Sequence, residues 1–285
     1  MNTLSLPPAA PPRTTSRRPH TSWRLPSAAT VLSGCVLFIA LLWALVPQLF
    51  THFDPTTGTD PGLLAPSTTH WFGTDAVGRD VYARVVYGTR QSLLGATIAV
   101  SLGMIVGTTI GVLAAAKGGI VDNLLMRIID VLLSIPGLLL ALSIVVLLGF
   151  GTINAAIAVG ITSIATFARL SRAQALQAAT SDYVQAAYGT GSSTFAVLYR
   201  HILPNSLQAV VALAAVQFGS AILQLSVLGF LGYGTPPPTP EWGVIIAEAR
   251  DYVATSWWLT LLPGAVIVAV VLATNTISRA LQRLD

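Results

Sequence analysis

Six stretches of about twenty consecutive apolar residues divide this chain, and helices that cross a bilayer need that length. They cover residues 31–50, 93–116, 128–150, 153–170, 206–230 and 257–277. Of 285 residues 53% are hydrophobic and only 9% charged, whereas soluble domains carry about 25% charged residues. A transmembrane β-barrel would alternate polar and apolar residues in segments of about ten; these runs are continuously apolar. Inside lipid every backbone amide must find its partner within the protein, and a helix does this within one segment. The expectation is an all-α membrane protein with six transmembrane helices.

Arginines 13, 17, 18 and 24 precede the first run, and no small-x-small cleavage site follows Leu49-Phe50. The run therefore reads as a retained signal anchor rather than a cleaved signal. Residues 1–24, rich in Pro, Thr and Ser, read as a disordered cytoplasmic tail. Basic residues set the orientation. With the N-terminus inside, Arg13, Arg17, Arg18, Arg24, Lys117, Arg127, Arg169, Arg172, Arg200, Arg279 and Arg283 are cytoplasmic, whereas Arg79, Arg84, Arg90 and Arg250 are outside. The acidic residues lean the other way, with Asp54, Asp60, Asp75, Asp80, Glu241, Glu248 and Asp251 outside. Both termini are then cytoplasmic. This asymmetry accounts for the net charge of +4, and nucleic acid need not be invoked.

The charged and nucleophilic residues narrow the function. Lys117 is the sole lysine, and the segment Gly111–Gly118 lacks both the Gly before it and the Ser or Thr after it that a phosphate-binding loop requires. His20, His52, His70 and His201 lie outside the runs, and no run carries two acids. No catalytic constellation, metal-ligand spacing or cofactor site follows, and proton-coupled carriers place ionisable groups at membrane depth. Asp130 and Arg127 are expected to pair on one helix face as an anchor. Cys35, the single cysteine, reads as a small apolar filler.

The long loop after the first run ends in Phe72-Gly73-Thr74-Asp75 and Gly78-Arg79-Asp80. From Arg79 to Leu94 the pattern is amphipathic, which suggests a helix lying on the outer membrane surface or a docking surface for an extracytoplasmic partner. Residues 25–92 then form the first span with its outer loop and helix, and 93–285 the permeation domain with a cytoplasmic loop over 173–205. In the second run Gly95, Ala99, Gly103, Gly107 and Gly111 recur every four residues, a stripe that lets another helix approach closely. Whether that neighbour belongs to this chain or to a second subunit stays open. Ser134-Ile135-Pro136-Gly137 weakens the third span enough to kink it. Gln217 and Gln224, seven apart in the fifth, either bond a neighbouring helix or line a polar path.

The segment Gln185-Ala186-Ala187-Tyr188-Gly189-Thr190-Gly191, followed by His201-Ile202-Leu203-Pro204, interrupts two apolar runs on the cytoplasmic side. It reads as two short helices around a Gly break and, being useless to the bilayer, as a dock for another protein. It resembles the cytoplasmic loop of ABC-importer permeases, which runs Glu-Ala-Ala, three residues, Gly, nine residues, then a stretch ending in Leu-Pro. Gln185 stands where that pattern has Glu, and His201 where many families have Ile. The segments 72–75, 78–80, 201–205, 228–234 and 237–243 are similar to the C-type permease subunit of the dipeptide, oligopeptide and nickel branch.

The resemblance implies a type I ABC importer permease fold in the cytoplasmic membrane of a bacterium. It implies a homologous B-type permease partner, two ATPase domains that bind ATP and Mg outside this chain, and an extracytoplasmic substrate-binding protein. It makes Gln185, Ala186, Ala187, Gly191, His201, Leu203 and Pro204 the ATPase-coupling loop, with Ala186, Ala187 and Gly191 its contact core. Gln217 and Gln224 are candidate path-lining residues, and Gly95, Gly103, Gly107 and Gly111 helix-packing residues. Short peptides are the expected cargo, with nickel chelates, glutathione or haem as alternatives. An ATPase-independent carrier is the rival class.

Overall fold

A computed structural model describes residues 28–191, 193–197, 200 and 203–281; the proposed tail over 1–24 and His201 lie outside the described residues. The long helices are α1 (Ala28–Leu45), α2 (Val81–Lys117), α5 (Thr152–Ala179), α8 (Leu203–Leu228) and α10 (Trp258–Leu281). Shorter ones are α3 (Gly119–Ser134), α4 (Gly137–Leu148), α6 (Asp182–Gly189), α7 (Thr194–Val197) and α9 (Trp242–Ala249). Among the described residues five helices are long and apolar enough to cross a membrane, and α3 with α4, bent by 94°, makes a sixth when taken as one span.

Helix length decides what projects from the bilayer. The 37 residues of α2 extend about 55 Å, against a hydrocarbon core of about 30 Å. The amphipathic stretch over 79–94, expected as a membrane-surface helix or a docking surface, is continuous from Val81 with α2. A surface helix buries only one side, but here Val81, Ala83, Arg84, Val85 and Val86 are all buried beneath the outer loop and α9. Asp80 starts the helix, its Oδ1 accepting the Ala83 N–H at 2.6 Å. At its other end α5 continues past the core to Ala179, so the inner loop starts later than 173.

The glycine stripe of α2 packs against α5 of the same chain, which answers the question left open by the sequence. A Cβ at Gly103 would stand 2.7 Å from Ser163 Cβ, and one at Gly111 would stand 2.2 Å from the Ala168 carbonyl oxygen. Gly95 would meet Thr152 and Leu225. Gly160 of α5 returns the contact: a Cβ there would stand 3.0 Å from the Ala99 carbonyl oxygen. The two backbones touch, and α8 and α10 close the core around Phe167, Ile222, Leu228 and Leu259.

The third apolar run is broken rather than kinked. Proline lacks an N–H and disfavours the helical conformation of the residue before it. Ile135 (φ −91°, ψ 131°) and Pro136 (φ −54°, ψ 124°) are accordingly extended, and α4 restarts at Gly137.

Candidate functional site

Four assemblies stand at different levels along this bundle. At the inner end α5 turns at Thr180 and Ser181, whose hydroxyls donate to the Gln177 and Ala178 carbonyls. The short α6 follows. Its Val184 is buried with Val197 of α7 against Val112 of α2 and Ala175 and Ala178 of α5, and Ala187 packs onto the same cluster. Asp182, Tyr183, Ala186, Gly189, Thr190 and Gly191 are exposed. Gly191 turns the chain with φ +83°, and among the described residues nothing lies within 4 Å of where its Cβ would be. Pro204 is exposed in the first turn of α8, where its missing N–H costs no helix bond. The resemblance implies Ala186, Ala187 and Gly191 as the contact core of this loop. The structure separates them, because α6 turns Ala187 toward its own chain while Ala186 and Gly191 face away.

Just above the loop α3 is clipped to α5. Arg172 donates through Nε and Nη2 to Asp122 at 2.5 and 2.6 Å, a bidentate pair. Arg169 donates to Asp130 at 2.6 Å. Arg127 was the partner expected for Asp130. Instead α5 runs alongside α3 and brings Arg169 to that carboxylate, while Arg127 is exposed.

At the break a cleft of about 360 Å³ opens between α3, α5 and α8. Its lining includes Pro136 and Gly137, Thr162 and Thr166 of α5, and Gln217, Ser220 and Gln224 of α8; it holds no charged side chain. The two candidate path-lining glutamines thus share one wall. Gln224 Oε1 is shielded from solvent and accepts no hydrogen bond among the described residues.

The outer end gathers charged side chains from two distant stretches of the sequence, 70–84 and 241–248. Arg84 is 1% exposed; its Nη1 donates to Asp75 Oδ2 at 2.8 Å and to Glu248 Oε2 at 2.5 Å. Arg79 binds the same two oxygens, through Nε at 2.6 Å and Nη2 at 3.1 Å. His70 Nδ1 lies 2.8 Å from Asp80 Oδ2. In the loop before α9, buried Glu241 accepts hydrogen bonds from the Thr152 hydroxyl and the Thr235 N–H. Trp242 donates from Nε1 to the Val85 carbonyl, and Gly243 presses against the Ser226 carbonyl. The Gly78-Arg79-Asp80 and Trp242-Gly243 segments, more than 150 residues apart, are therefore two halves of one plug over α2. Asp75 and Arg79, four apart, were a local signal; Glu248 had none.

The family described as binding-protein-dependent transport system inner membrane component matches residues 107–284. The probable D,D-dipeptide transport system permease protein DdpC of Escherichia coli (strain K12) is 38% identical over 89% of this chain and 86% of its own length. The glutathione transport system permease protein GsiD of Pectobacterium atrosepticum is 37% identical over 91% of this chain and 88% of its own. Among solved structures, an inward-facing MetNI methionine ABC transporter superposes with a TM-score of 0.56 at 18% identity. The match covers 70% of this chain and 96% of that one. An amino acid ABC transporter crystallised with histidines gives 0.57 at 16% identity, covering 72% and 95%; both likenesses concern the fold. The glycine-packed core, the inner loop after α5 and these relatives agree: the chain belongs to the inner membrane components of binding-protein-dependent transport systems, as a permease of the type I ABC importer fold.

Proposed function

We propose that this permease pairs with a homologous subunit to form a path for short peptides across a bacterial cytoplasmic membrane. Its Gln185–Pro204 segment is the element that ATPase subunits move. The observation that carries this reading is the two-sidedness of α6. Val184 and Ala187 tie it to α2 and α5, while Asp182, Tyr183 and Ala186 are presented outward. An element seated in this way transmits a push from a partner into the bundle as a rigid-body displacement. The lone Lys117, without a phosphate-binding loop around it, supports an energy source in other chains, which bind ATP and Mg. The relatives named for dipeptides and glutathione support a peptide cargo. A substrate-binding protein delivers it to the outer plug, and lipid or the partner subunit covers outward side chains such as Leu147, 86% exposed.

The test uses the assembled complex in proteoliposomes. Ala186→Glu and Gly191→Val alter the outward side of the loop without touching the buried cluster. Both variants should assemble in the membrane, lose ATP-driven peptide uptake and leave ATP hydrolysis running uncoupled. Wild-type uptake in either variant defeats the assignment.

A further inference from the structure

We propose that the wide cleft at the outer end, framed by Phe150, the turn after α8 and α9, receives the cargo peptide as a zwitterion, its ammonium group meeting Glu248 and its carboxylate meeting Arg250. The inference rests on the peptide reading above and names where the cargo first meets this chain.

The cleft has a volume of about 600 Å³, within the range of about 300–1,000 Å³ that small-ligand sites occupy. Backbone geometry opens it. After Leu228 the chain makes one π-helical turn, Gly229–Tyr233, broken at Gly232 with φ +92°, and single turns of this kind are frequent at functional sites. Tyr233 stacks on Phe150 with ring centres 5.8 Å apart, which braces one wall. The lining is mostly apolar, with Phe150, Phe230, Leu231 and Pro236 among it, and its only charged side chains are Glu248 and Arg250. Apolar walls with a few placed polar groups are the usual composition of a ligand site.

The two charges are placed to act separately. Residues two apart on a helix point to different sides; Glu248 pairs with Arg79 and Arg84, whereas Arg250 pairs with Asp251. Both of the first two arginines bind Glu248 through Oε2, which holds the carboxylate in place and leaves Oε1 out of both bonds. Arg250 and Asp251 are mostly exposed, and a pair so exposed is worth little, so an incoming carboxylate displaces Asp251 at small cost. Arg79, Arg84 and Arg250 balance Asp75, Glu248 and Asp251, which suits a cargo that is itself neutral overall. A dipeptide carries its end charges about 7 Å apart, and helical Cα atoms two residues apart are separated by about 5 Å, close enough for two long side chains to bracket it. Other occupants fit less well. A fatty acyl chain suits the rings but strands both charges. A bare divalent metal ion meets one carboxylate, and no group of three metal ligands exists among the described residues.

The experiment supplies the whole complex in proteoliposomes, with its binding protein, with a dipeptide that carries a photoreactive diazirine side chain. After illumination, mass spectrometry locates the label. It should fall on Phe150, Phe230 or Leu231 and vanish when unmodified dipeptide is in excess. Arg250→Gln, at an exposed position, should lower that label and dipeptide uptake about fivefold, the effect of one lost hydrogen bond, and Arg250→Lys should retain most of both. Label found only elsewhere in the complex, label that competition does not remove, or an Arg250→Gln variant equal to wild type overturns the inference, while dipeptide uptake keeps the peptide reading standing. Lipid or the partner subunit filling the cleft would show as absent label there and overturns it equally. A wild-type complex that takes up no dipeptide overturns the peptide reading and this inference with it.

Discussion

Replacing Gly107 by alanine tests the claim that α2 and α5 touch backbone to backbone. The added Cβ would lie 2.5 Å from the Ile164 carbonyl oxygen, 2.7 Å from Phe167 Cβ and 3.0 Å from the Ala168 nitrogen. None of these atoms can swing away, because all belong to the backbone or are fixed by it. Relief requires the helices to part by about 1 Å, and a gap of that size forfeits roughly a quarter to a half of each van der Waals contact it opens. The neighbouring contacts at Gly103 and Gly111 open with it. Overpacking of this kind costs about 1–3 kcal/mol, set against about 1 kcal/mol of helix propensity gained when alanine replaces glycine. Gly34 in α1 supplies the control, since nothing among the described residues lies within 4 Å of its Cβ position. Gly34→Ala keeps the propensity gain without the clash. In thermal melts of the purified complex, Gly107→Ala should unfold several degrees below Gly34→Ala, at about 2–4 °C per kcal/mol. A Gly107→Ala variant that melts at or above Gly34→Ala refutes the close packing.

Two more substitutions address the charged assemblies. Arg84→Met removes the buried cation between Asp75 and Glu248 and leaves Arg79 alone to face both; it should lower stability by about 3 kcal/mol, read as an earlier melt, and an unchanged melt contradicts the plug. Asp122→Arg or Arg172→Asp singly should break the clip between α3 and α5, worth about 1 kcal/mol for a partly exposed pair, and reduce ATP-driven uptake. The double exchange should restore uptake, and failure of that rescue assigns the loss to something other than the pair.

Legibility in the sequence followed the range of the interaction. The spans could be read because hydrophobicity acts residue by residue along one segment, and the break at Pro136 because proline's steric effects reach only its neighbours. The inner loop was legible as a spacing of Ala and Gly. The seat of α6 was not, because Val184 and Val197 meet Val112 only once α2 and α5 lie side by side. The ion pairs of the amphipathic stretch from Arg79 were not legible for a related reason. Its arginines look like a polar face until Asp75 and Glu248, the latter more than 160 residues away, arrive to neutralise them.

The sequence by itself determined that this chain holds runs long and apolar enough to cross a membrane as helices, with its basic residues gathered mainly at one end of them. Those properties are sums over local composition. Tertiary structure alone decided that the glycine stripe serves an internal helix and that Ala187 faces inward while Ala186 faces out. It alone set Gln224 beside Gly137. Each depends on which helix lies beside which, and a stripe of small residues or a lone amide carries the capacity for close contact without the address of its partner.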